Sequence, residues 1–219
     1  MTLSNDQTSV SAVVFDIGNV LVGWEPEAMF DRVIGPERRR QLFDRVDIDG
    51  MNTSMDRGVP FRETVYRTAE AHPEFARDIR LWHDRWIEMF RPVHRHSVHL
   101  LRALKSRGVP VFALSNFGKD TIRIAEAEMP FLTEFDQRFI SGELGWLKPE
   151  PEIYRIVERE CGHAPERLLF TDDRDENILG ATRRGWQGHV FETPSGFAEC
   201  LVDHGLLDRE EAFPDEGGS

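Results

Sequence analysis

Short apolar runs that stop at polar, glycine-containing loops recur along this chain, with stretches of helical spacing between them. Ala12 to Phe15 run into Asp16 and Gly18, Val109 to Leu114 into Ser115 and Asn116, and Leu168 to Thr171 into Asp172 and Asp173. A fourth run, His189 to Phe191, follows Gly185 and Gly188. Runs this short and this apolar predict strands buried on both faces. Between them, Val98, Leu101 and Leu104 precede Gly108, and Ile153, Ile156, Val157 and Cys161 precede Gly162. Three- and four-residue spacing closed by glycine predicts helices. Alternating strands and helices predict an α/β fold, a doubly wound parallel sheet.

The rhythm breaks between Trp24 and about Arg95, where apolar residues keep helical spacing and no buried-strand run appears. An all-helical insert after the first strand is therefore expected. Its strongest stripe, Phe75, Ile79, Trp82, Trp86 and Met89, predicts one helix packed against others, with both tryptophans as core. The expected division is a core of residues 1–23 and 97–219 interrupted by a cap of residues 24–96. Met1 to Val10 are polar and expected to fray, and the acidic stretch Asp208 to Ser219 carries Pro and Gly and is expected to be disordered.

Composition narrows the function. A length of 219 residues suits one α/β domain with a small insertion. The formal net charge of -12, without a basic stripe, argues against a nucleic-acid partner. Cys161 and Cys200 lie far apart and outside metal-ligand spacing, so neither a disulfide framework nor a zinc site is expected. No run of 18 apolar residues exists, and the first residues lack the marks of a signal peptide. A soluble, cytoplasmic protein with no membrane partner is the expectation.

Three of the polar clusters sit at carboxyl ends of expected parallel strands, where an open α/β sheet places its ligand crevice. The strings FDIGNVL, LSN, LKPEPEIY and FTDDRDENI, in that order, resemble the four motifs of the haloacid-dehalogenase-like superfamily. The likeness covers essentially the whole chain. It implies a Rossmann-like core with a helical cap, and a magnesium-dependent phosphatase acting on a small phosphorylated metabolite. Asp16, where a buried strand opens into a loop, has the placement a carboxylate nucleophile needs. By resemblance it attacks phosphorus to form an aspartyl-phosphate. The adjacent Asp172 and Asp173 repel one another unless a cation neutralises them, and Mg2+ suits such an oxygen-only set. The resemblance makes Asp173 the direct ligand, Asp172 an assistant, and the Gly18 carbonyl a further ligand beside Asp16. Ser115 and Asn116 offer a hydroxyl and backbone N–H groups to a phosphoryl group in transfer. Lys148, before Pro149, balances charge on Asp16 and the phosphate. Tyr154 and Asn177 match the pattern as scaffold. In the insert, Asp49, Asn52, Asp56 and Arg57 are candidate substrate contacts.

One position departs from the family. Most phosphatases of the superfamily carry a second aspartate two residues after the nucleophile as general acid and base; here Gly18 stands there, and Val20 replaces a common threonine. Loss of such an acid removes about 10² to 10⁴ in rate from a poor leaving group. The string FDxGNV with a following DD pair also resembles a bacterial subgroup of sugar-1-phosphate phosphatases, whose anomeric leaving group needs less protonation. A metal-free 2-haloacid dehalogenase is the alternative enzyme, disfavoured by the paired Asp172 and Asp173. A catalytically weak member that binds a phosphometabolite or a protein is the second alternative.

Overall fold

In β1 (Ala12–Phe15) every side chain is buried, and alternate residues leave by opposite faces: Ala12 and Val14 enter one apolar cluster, Val13 and Phe15 another. A strand with that pattern belongs in the middle of a sheet covered on both sides. The computed structural model describes residues 9–214 and places it there. After β1 the chain forms β2 (Val22–Trp24) and five helices, α1 (Pro26–Ile34), α2 (Pro36–Arg45), α3 (Ile48–Asp56), α4 (Phe61–Ala71) and α5 (Ala76–Asp84). It returns through β3 (Phe90–Val93) to α6 (Arg95–Ser106), β4 (Val111–Ser115), α7 (Thr121–Glu128), β5 (Gln137–Ile140) and α8 (Ser141–Leu144). α9 (Pro151–Glu160), β6 (Leu168–Asp172), α10 (Asp175–Thr182), β7 (Gln187–Val190), α11 (Pro194–Asp203) and α12 (Arg209–Ala212) complete it.

Five strands form a parallel sheet in the order β5-β4-β1-β6-β7, the expected doubly wound α/β fold. Register sets up the site. Phe15 lies opposite Ala113 of β4 and Thr171 of β6, so Asp16, Ser115 and Asp172 emerge together at the carboxyl edge. Five helices fill the stretch between β2 and β3, with α4 packed on α5 and α1 on α2. Their core is continuous with one face of the sheet: Phe30, Trp82, Trp86 and Phe90 share the cluster of Val13 and Phe15. Trp86 stacks on Phe90 at 5.6 Å between ring centroids, and Phe90 meets Phe117 of the core edge at 5.3 Å.

Several boundaries differ from expectation, each for a local reason. β4 starts at Val111 rather than Val109, after a proline that has no N–H to give a ladder. β7 covers Gln187–Val190 rather than His189–Phe191; it is an edge strand with half-exposed positions, so its apolar signal is weak. The other edge strand, β5, begins with Gln137 and Arg138 and was not expected at all. The stretch between the first and second core strands is not wholly helical, because β3 pairs antiparallel with β2. The stripe from Phe75 to Met89 is not one helix either: α5 is flanked by single 3-10 turns at Pro73–Phe75 and Trp86–Glu88. Its residues are nonetheless buried.

Within the acidic C-terminal stretch, the described residues Asp208 to Pro214 are ordered, against expectation. Asp208 and Glu211 form a reciprocal capping box on α12, and the rings of His96 and His99 bond the carbonyls of Ala212 and Glu211. At the other end Val10 is buried and the Ser11 N–H bonds the Arg167 carbonyl. The remainder of both expected loose ends, residues 1–8 and 215–219, lies outside the described residues. Cys161 and Cys200 are both free. Among the described residues no helix is long and apolar enough to cross a membrane.

Candidate active site

Asp16 follows β1 directly and is 7% exposed. Its Oδ1 accepts three bonds, from the Ile17 N–H at 2.7 Å, the Ser115 hydroxyl at 2.7 Å and the Lys148 ammonium at 2.9 Å. Among the described residues no donor reaches Oδ2, and the residue lines a cavity of about 480 Å³. One oxygen is thus anchored while the other is left without a protein donor, in a residue that lines the cavity. Burial pushes this carboxyl well above the ordinary carboxylate range; Lys148 pulls it back and Asp172 adds to the rise.

Lys148 arrives from the loop before α9. Its ammonium bonds Asp172 Oδ2 at 2.6 Å and the Leu114 carbonyl at 2.8 Å besides Asp16. Burial alone would favour its neutral form, yet the charges of Asp16 and Asp172 override it and hold the ammonium above the usual lysine range. Asn116 fixes the same loop: its side-chain carbonyl accepts the Lys148 N–H at 2.7 Å, and its amide donates to the Lys148 carbonyl at 2.9 Å. Ser115 therefore positions Asp16 and Asn116 positions the loop of Lys148. The Ser115 hydroxyl is given to Asp16 and the Asn116 side chain to Lys148, which leaves the backbone N–H groups of the loop as the expected contacts of a phosphoryl group.

Asp16, Asp172 and Asp173 bring oxygens within 4.8 Å of one another. Three carboxylates against the one ammonium of Lys148 leave two negative charges, which a divalent cation balances. The individual oxygens differ. Asp172 is saturated, holding Lys148, both contacts from the Asn177 amide at 2.9 and 3.0 Å, and the Arg174 N–H at 2.9 Å. Among the described residues Asp173 accepts only the Asn19 amide at 2.8 Å, on Oδ2. The Gly18 carbonyl is also uncommitted, since the bridge to Val22 uses the Ile17 and Val22 carbonyls. Asp16, Asp173 and the Gly18 carbonyl fit a hard cation such as Mg2+, and Asp172 fits the role of counter-charge to Lys148. Tyr154 and Asn177 are scaffold: the Tyr154 hydroxyl donates to the Asn177 carbonyl at 2.8 Å, and Asn177 steadies Asp172.

Gly18 stands in open space. A Cβ there would meet nothing within 4 Å, and its φ is not positive, so neither sterics nor backbone geometry demands glycine. Its neighbour Asn19 was missed by motif reading. It occupies φ 57°, donates to Asp173 and accepts the Trp24 N–H at 2.9 Å, tying the loop after Asp16 to the loop of Asp173 and to β2. Asparagine tolerates that backbone region better than most residues. The opposite wall of the cavity comes from α3 and its aromatic neighbours: Asp49, Asn52, Thr53 and Asp56 with Trp24 and Trp86. Trp86 is 4% exposed, so it is core and wall at once, while Trp82 is core. Asp49, Asn52 and Asp56 are cavity lining as expected; Arg57 instead pairs with Glu150.

An anchored strand-end aspartate, a buried lysine and an aspartate cluster meet at the carboxyl edge of the open parallel sheet, and the match to known proteins makes this a hydrolase fold. Residues 10–185 match the haloacid dehalogenase-like hydrolase family, and the chain belongs to it. A phosphoserine phosphatase of Thermus thermophilus is 28% identical over 83% of this chain and 71% of that protein. A sesquiterpene phosphatase of Aspergillus oryzae is 27% identical over 89% of this chain and 95% of that one. In fold, the chain is similar to a family enzyme of Bacteroides thetaiotaomicron solved with magnesium and inorganic phosphate. That likeness has a TM-score of 0.64 at 20% identity and covers 84% of this chain and 95% of the other.

Proposed function

We propose that this chain is a magnesium-dependent phosphatase that hydrolyses a small phosphomonoester, of the sugar-phosphate class, through an aspartyl-phosphate on Asp16. The carrying observation is the asymmetry of Asp16, a cavity-lining residue: Oδ1 is held by three donors, while among the described residues no donor bonds Oδ2. Oδ2 attacks phosphorus, the bond to the leaving oxygen breaks, and water then attacks the same phosphorus to release phosphate and restore Asp16. Lys148 holds Asp16 in place and favours its ionised form against the opposing effect of burial. A bound Mg2+, held by Asp16, Asp173 and the Gly18 carbonyl, would supply charge neutralisation for the phosphoryl group.

The far wall supports a neutral, hydroxyl-rich leaving group. Asn52 and Thr53 offer hydrogen bonds, Trp24 and Trp86 offer flat apolar surface, and Asp49 and Asp56 disfavour a second anionic group. A metal-free haloacid dehalogenase would gain nothing from the carboxylates Asp172 and Asp173. The test is hydrolysis of p-nitrophenyl phosphate and of a panel of sugar phosphates with and without magnesium. EDTA should remove the activity, and Asp16→Asn should lower it by roughly 10⁵-fold, the scale on which loss of a covalent nucleophile acts. Full activity in EDTA, or in Asp16→Asn, sinks this reading.

A further inference from the structure

The loop after Asp16 carries no proton donor, because Gly18 has no side chain, and the other core carboxylates are engaged. Asp172 is saturated by protein donors, and Asp173 belongs to the cation site. The opposite wall, however, holds a carboxyl aimed at the same space. Resting on the phosphatase reading above, we propose that Asp56, on the last turn of α3, is the general acid and base of the reaction, protonating the leaving oxygen and then deprotonating the attacking water.

Asp56 lines the cavity together with Asp16 and Gly18. Its Oδ2 accepts the Asn52 amide at 2.9 Å, within the same helix, which fixes the carboxyl in orientation. Its backbone is fastened to the catalytic core. The Ser141 hydroxyl donates to the Asp56 carbonyl at 2.6 Å, and Arg57 pairs with Glu150. Two glycines let the backbones meet: a Cβ on Gly58 would stand 2.5 Å from the Gly142 carbonyl oxygen, and one on Gly118 would stand 3.3 Å from that of Met55. A proton donor must keep its distance from the reacting atoms, and these contacts fix α3 against the loops that carry Ser115 and Lys148.

The electrostatic setting agrees. Burial pushes the Asp56 carboxyl up to about 7, against the Gly118 N–H that favours its ionised form and with a further push from the charge of Asp16. Nearby cations are committed elsewhere, Arg57 to Glu150 and Lys148 to Asp16 and Asp172. A carboxyl in this range supplies a proton and takes one back near neutral pH. In the first step Asp16 Oδ2 bonds phosphorus, the ester P–O bond breaks, and the leaving oxygen takes the Asp56 proton to depart as an alcohol. In the second, water bonds phosphorus and gives a proton to the Asp56 carboxylate while the P–O bond to Asp16 breaks. Phosphate leaves and both side chains return to their starting forms.

The test is transient kinetics of Asp56→Asn on two substrates, an alkyl phosphate and p-nitrophenyl phosphate, with saturating magnesium. Alkyl phosphate hydrolysis should fall by about 10² to 10⁴. Nitrophenol needs no proton to leave, so it should appear as a burst of one equivalent at close to the wild-type rate, followed by slow turnover limited by water attack. Adding Gly18→Asp to Asp56→Asn should recover alkyl phosphatase activity by about tenfold or more, since the space beside Gly18 is open. Wild-type alkyl phosphate rates in Asp56→Asn overturn the assignment. So does loss of the burst without rescue by Gly18→Asp, which marks a merely structural residue. An active wild type with an indifferent Asp56→Asn overturns this inference alone, whereas full activity in Asp16→Asn overturns the phosphatase reading beneath it.

Discussion

The two walls of the cavity are built differently. On the core wall Asp16, Ser115, Lys148 and Asp172 hold one another through short bonds with almost no exposure. On the facing wall Asp56 accepts the Asn52 amide of its own helix and the Gly118 N–H, and Asp49 stands exposed. Buried charges stay put only when paired and hydrogen-bonded, so the core wall is rigid and tuned to one chemical group. Apart from Asp56, the polar side chains of the far wall carry fewer such commitments.

The contrast predicts unequal responses to mutation. The largest is expected for Lys148→Met, which leaves Asp16 and Asp172 buried without their counter-charge. Removal of one partner of such a cluster costs about 3–5 kcal/mol, readable as a fall in the urea midpoint of the metal-free protein. A cost below about 1 kcal/mol would show that charge pairing does not hold this wall. Next comes Asp56→Asn. The folded carboxyl titrates at about 7 against an ordinary value of 3.8, so the folded state binds its proton more tightly than the unfolded state. That residue therefore contributes stability at low pH that is lost as pH rises from about 4 to 7. Relative to the parent, Asp56→Asn should be neutral at pH 4 and gain stability up to pH 7, approaching about 4 kcal/mol at most, with cavity water reducing it. Thermal melts of both proteins across that range check the sign; a constant difference refutes it. The smallest effect belongs to Arg57→Ala. Its pair with Glu150 is substantially exposed, so about 0.2–1 kcal/mol is at stake. A larger loss in melting measurements would mean that the far wall is pinned as firmly as the core wall.

The same contrast explains what could be read from the chain. Asp16, Ser115 and Asp172 each sit at the end of a buried parallel strand, and Lys148 in a compact motif, so local strings report their meeting point. Asp56 was only one of several polar residues, because helical spacing says which face is apolar and nothing about which core atom a polar side chain will oppose. The stripe from Phe75 to Met89 forecast burial correctly but not continuity, since 3-10 turns preserve nearly the same facing pattern. β5 escaped notice because an edge strand beginning Gln137-Arg138 needs burial only at Phe139 and Ile140.

One apolar cluster runs from Val13 and Phe15 through Phe117 and Phe90 to Trp86, Trp82 and Phe30. For protein engineering this has a practical meaning. The helical segment is not a cartridge that can be exchanged with a relative's to transplant specificity, because every boundary chosen through β2 and β3 cuts across shared aromatic packing. A chimera would need its seam redesigned around Trp24, Phe90 and Phe117, whereas retargeting by substitutions at Asp49, Asn52 and Thr53 leaves that seam untouched.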